Sequence, residues 1–145
     1  MSKPTQVWDP AGYSRHAGFV AEMGGKGCVA KIVNALESAL ARRGLDAAGC
    51  NPWYFPDTGE YKERLEARGF HVRTIRLIPR PTPLPGDVVG WLETFARAFT
   101  AALPEAERPA FLREVCEALR PELVQGETWV ADYVRLRFAA VRPGP

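Results

Sequence analysis

Phe19-Val20-Ala21-Glu22-Met23-Gly24-Gly25-Lys26-Gly27, running into Val29, Ile32, Val33, Leu36 and Leu40, is the stretch that decides the fold. Phe19 to Met23 reads as a short strand. The three glycines around Lys26 then make a turn. From Val29 the apolar residues recur at helical spacing and form one stripe. Arg42 and Arg43 fall in the last turn, where cations suit the helix dipole, and Gly44 supplies the stop. A strand, a glycine turn and an amphipathic helix make a βα unit, which predicts an α/β sheet.

Working toward the C-terminus, Cys50 to Pro56 is a loop with three consecutive aromatics, Trp53, Tyr54 and Phe55. Asp57, with Glu60 three residues on, caps a helix through Tyr61 and Leu65 that Gly69 closes. Phe70 to Ile78 reads as a strand with Phe70 and Val72 on one face and Ile75 and Leu77 on the other, hence covered on both sides. Pro79, Pro81, Pro83 and Pro85 alternate with Arg80, Thr82 and Leu84; this run is extended and cannot be helix or central strand. The next helix turns Val88, Trp91, Leu92, Phe95 and Phe99 inward. Another, from about Pro104 to Leu119, buries Phe111, Leu112 and Val115 and ends at Pro121. Trp129 to Val141 is a long strand, with Val130, Val134, Leu136 and Phe138 alternating with Tyr133, Arg135 and Arg137. Trp91, Phe95, Trp129 and Tyr133 read as core.

Working toward the N-terminus, Asp9-Pro10 opens a helix that places Tyr13 and His16 on one face until Gly18 interrupts it. The predicted architecture is α/β, a small three-stranded mixed sheet with helices in a single domain over 1–145. A net charge of +2 gives no footprint for nucleic acid, and no apolar run approaches a membrane span. Three scattered cysteines give no metal spacing and an odd count for disulfides. With no signal peptide at Met1 to Gln6, a reduced cytoplasmic protein is the expectation.

Trp8-Asp9-Pro10-x-x-Tyr13-x-x-His16, Phe19 to Gly25, Asn51-Pro52-Trp53-Tyr54-Phe55-Pro56, Ile78 to Pro85 and Gly90-Trp91-Leu92-Glu93-Thr94-Phe95 together resemble one family. It is the class I S-adenosylmethionine-dependent methyltransferases of the trans-aconitate methyltransferase type. The resemblance implies a sheet of strand order 3-2-1-4-5-7-6. Residues 1–18 are similar to the helix before the first strand, and 19–141 to the region from strand 5 to strand 7. The cofactor-binding segment that the family carries between these pieces has no counterpart here. Gly24-Gly25-Lys26-Gly27 follows the fifth-strand equivalent and lacks the G-x-G-x-x-G pattern. Phe19-Val20-Ala21-Glu22 fits both flanking pieces, which suggests an internal deletion through a short repeat.

The expected consequences are two. No bound cofactor and no metal are expected, so methyl transfer by the chain alone is not. The strand Phe19 to Met23 loses its neighbour and becomes an apolar edge, a template for a homodimer that joins strand 5 to strand 5.

Candidate site residues follow from the same segments. Trp53, Tyr54 and Phe55 either line a small-molecule pocket, as the resemblance implies, or plug the core under a loop. Arg80 is placed to clamp a carboxylate, or is solvated. Tyr13 and His16 resemble residues that cover the reacting centre, and otherwise make a surface helix. Glu22, near a strand end, pairs with His16 as acid and base, or is a plain strand-end charge. The function expected is a dimeric, small-molecule-binding or structural relic of a methyltransferase. The alternatives are a cofactor-independent isomerase, cyclase or hydrolase, and a methyltransferase half completed by a partner chain.

Overall fold

The computed structural model of the protein describes residues 17–143. Strand β1 (Ala17–Gly24) leads into helix α1 (Ala30–Ala41), and helix α2 (Thr58–Ala67) precedes strand β2 (His71–Pro83). Helices α3 (Val88–Phe95), α4 (Arg97–Thr100) and α5 (Arg108–Leu123) then lead to β3 (Val124–Gln125) and β4 (Thr128–Arg142). The segment Asp9 to His16, with its expected helix, lies outside the described residues.

The sheet order is β1–β4–β2, with β3 paired to the start of β4. The long last strand is therefore central, and it runs antiparallel to both neighbours. This corrects the expected three-stranded mixed sheet in two respects. There are four strands among the described residues, because Gly126, at φ +64°, turns the end of α5 back as a two-residue hairpin arm. Among the described strands no neighbouring pair is parallel, because β4 separates the two strands that run the same way.

The reading of Phe70 to Ile78 as apolar on both faces is also corrected. A register shift between Val72 and Thr74 leaves Arg73 as the extra residue of a β-bulge. The bulge moves the alternation by one place. Val72, Ile75 and Leu77 thus share one face, where with Leu65, Tyr61 and Phe70 they pack against Leu136, Phe138 and Ala140. The opposite face of β2 carries Thr74, Arg76 and Arg80, all exposed.

The proline run is extended as expected, and it forms the outer half of β2. Leu84 N–H donates to the Trp129 carbonyl at 2.8 Å. Even-numbered amides here thus point toward β4, and the ring nitrogens of Pro79, Pro81 and Pro83 fall on the outer side. That is where a strand tolerates proline, and it strips the β2 edge of donors.

The main core lies among α1, α3, α4, α5 and one end of β4. Ile32, Leu36, Leu92, Phe99, Phe111, Val115 and Leu119 are fully buried there. Two helix readings are corrected. Phe95 is 53 % exposed rather than inward, because the helix breaks at Ala96 (φ −102°) and α4 resumes on a new phase. Helix α5 continues through Pro121 to Leu123, because only its last turn must do without the proline donor.

Candidate functional site

The glycine turn after β1 is the junction of the molecule. Gly25 N–H donates to the Val134 carbonyl at 3.0 Å, Lys26 N–H to Pro56 at 2.9 Å and Val29 N–H to Asp132 at 2.9 Å. The turn is thereby tied both to β4 and to the aromatic loop. The glycines are needed for close packing. A Cβ on Gly24 would meet the Phe55 ring at 2.5 Å, and one on Gly25 would meet Leu77 and Leu136 at 2.4 and 2.9 Å. Val29 takes a left-handed conformation (φ 48°) that is strained for a β-branched residue. Its buried side chain and the bond to Asp132 hold it there. The Asp132 carboxylate accepts Lys31 N–H at 3.0 Å at the start of α1, where an anion is favoured. Cys28, in the same turn, has its thiol pushed up chiefly by burial.

The three aromatics of the loop divide by alternation. Trp53 stacks on Phe55 (ring centroids 6.0 Å apart) and lies against Trp91 (5.8 Å) and Phe99 (5.4 Å). Tyr54 points outward, with its hydroxyl donating to Glu60 at 3.0 Å and the Arg64 guanidinium over its ring. Partial desolvation, with that bond, raises the Tyr54 pKa.

Beyond Trp91 opens a cleft of about 470 Å³, floored by Trp91, Phe95 and Leu84 and edged by Thr82, Asp87 and Tyr133. Trp91 Nε1–H donates to the Tyr133 hydroxyl at 2.8 Å. That leaves the Tyr133 proton for an acceptor in the cleft. Asp87 gives one oxygen to Val89 N–H and keeps the other. The cleft thus has an apolar floor with a donor and an acceptor at its rim, the composition of small-molecule sites.

Among the expected site residues, Glu22 and Arg80 are brought together across β4, with Arg80 Nη1 at 2.9 Å from Glu22 Oε1. Trp53 backs the cleft through Trp91, while Tyr54 and Phe55 stand away from it. Tyr13 and His16 lie outside the described residues. Asp87, Tyr133 and Asp132 were not legible as site residues. The Trp91–Tyr133 bond spans 42 positions, and no local pattern signals it. Among the described residues no group of three or more His, Cys, Asp or Glu side chains is placed to hold a metal. No described helix is long and apolar enough to cross a membrane.

No family model matches the chain. A search of curated proteins finds a protein of Schizosaccharomyces pombe, named as an uncharacterized methyltransferase, that is 40% identical over 129 residues. This chain is related to a methyltransferase-named protein. The match covers 84% of this chain and 48% of the yeast protein, so the chain spans about half the length of the relative.

Proposed function

We propose that this chain is the substrate-side half of a class I methyltransferase fold, a small-molecule-binding protein that does not transfer methyl groups alone. The observation that carries the reading is the packing of the glycine turn. In a cofactor cradle the space above the glycines is left for the ligand; here Phe55 fills it at Gly24, and Leu77 and Leu136 fill it at Gly25. In this reading the crowded turn does not fit adenosylmethionine.

Two observations support the family assignment. The order β1–β4–β2, with the central strand antiparallel to both neighbours, is consistent with the 5-7-6 portion of the strand order that the resemblance implies. The curated relative carries the methyltransferase name. The cleft at Trp91 and Tyr133 suits a flat apolar molecule bearing a hydrogen-bond acceptor for Tyr133. Trp53 supports its floor, and Arg80, steadied by Glu22, lies two residues from Thr82 at its rim.

The chain works as a homodimer joined through β1 in this reading. Along β1 the outer edge has no neighbour among the described strands, whereas the β2 edge lacks three donors. Light scattering is expected to give twice the 16.0 kDa chain mass, and a monomer at micromolar concentration contradicts it. A second reading, favoured by the greater length of the yeast protein, has another chain supply the missing half. Incubating purified chain with tritiated adenosylmethionine and small-molecule extract tests the proposal. No label should transfer; transfer above the protein-free control overturns it.

A further inference from the structure

Residues paired across an antiparallel ladder project from the same face of the sheet. The register places Glu22 of β1 opposite Arg137 of β4, and Arg137 opposite Arg76 of β2. Arg135 and Arg80 lie on that face too, opposite Gly24 and Tyr133 respectively. Four arginines therefore share the surface with one glutamate, and the Glu22 carboxylate is taken by Arg80 at 2.9 Å.

Among the described residues Arg76 and Arg137 have no acidic partner within ion-pair distance. Like charges set directly opposite each other destabilise a ladder. The two arginines flank a groove of about 370 Å³ completed by Val20, Thr74 and Ala139. The short side chains of Thr74 and Ala139 keep the groove open between the longer ones. Two guanidiniums converging on a groove match the bidentate geometry of an oxyanion, and a bound anion would cancel their repulsion.

We propose that Arg76 and Arg137 form a binding site for a compact oxyanion, a carboxylate or phosphate group, on the open face of the sheet. The site is separate from the cleft at Trp91 and does not depend on the methyltransferase reading. Its energetic logic is a repulsive pair that the ligand satisfies.

Calorimetry on the purified full chain, with inorganic phosphate and malonate as probes against chloride at matched ionic strength, tests this. At least one probe should bind, and which one does assigns the phosphate or carboxylate source. Arg76→Gln and Arg137→Gln should each weaken binding about ten- to a hundred-fold, the loss of one charged contact. Arg113→Gln, which removes an exposed charge on α5, should leave it unchanged. Without the probe, both groove variants should melt at or above the parent midpoint, since the like-charge pair is relieved. The proposal is overturned if neither probe binds, if Arg113→Gln weakens binding equally, or if either groove variant melts lower without the probe.

Discussion

Gly25 shows how closely single side chains are fitted around the turn. A methyl group there would sit 2.4 Å from Leu77 and 2.9 Å from the Leu136 Cβ, and the latter cannot swing away. Gly25→Ala should therefore cost about 2 kcal/mol, the usual scale for overpacking, read as a fall in urea midpoint with unchanged slope. The turn itself was legible from Gly24-Gly25-Lys26-Gly27, because glycine clusters punctuate the chain. What fills the glycine space was not, since Phe55 and Leu77 arrive from positions far along the sequence. The division of the aromatic loop was half legible: three aromatics in a row cannot all face inward, but only the fold shows Tyr54 as the outward one. Phe95 was misread because the helical stripe that assigns it inward assumes an unbroken helix through Ala96.

At the scale of elements, β2 carries the clearest test. Odd and even positions of its proline half differ in which way the amide points as well as in which sheet face the side chain takes. Pro81→Thr should change stability little, because its nitrogen faces outward. Thr82→Pro should cost about 1–3 kcal/mol, because it removes a ladder donor and strands a carbonyl of β4. Chemical denaturation of the two variants side by side checks the contrast, and equal losses would place the ladder on the wrong parity. Helices α1 and α5 are joined by Glu114, which reaches Arg42 at 2.7 Å and Arg43 at 2.6 Å. Hydrogen bonds from Arg43, then Arg42, lower the Glu114 pKa below its ordinary value. A depressed folded-state pKa stabilises above the unfolded value, near 4.3, and the contribution is lost as pH falls below it. Glu114 is 34% exposed, so the contribution is about 1 kcal/mol or less. Glu114→Gln should thus lower the urea midpoint at pH 7, and the difference from the parent should shrink as pH falls through the acidic range. The order of helices and long strands was legible from periodicity. The bulge at Arg73 was not, because one extra residue leaves no compositional mark.

For the whole molecule, the strands that periodicity locates do not by themselves say which is central. The pairing of β4 between β1 and β2 emerges only from long-range contacts. That pairing makes β1 an edge among the described strands and places Glu22 beside Arg80. It also gathers Arg76, Arg80, Arg135 and Arg137 on one sheet face with Glu22. If the chain is the substrate-side half proposed above, its glycine turn, crowded at Gly24 and Gly25 by Phe55, Leu77 and Leu136, does not seat the methyl donor. Calorimetric titration of the purified chain with S-adenosylmethionine measures this directly. No saturable heat is expected; a stoichiometric binding isotherm of micromolar or tighter affinity would show that the turn does seat the donor.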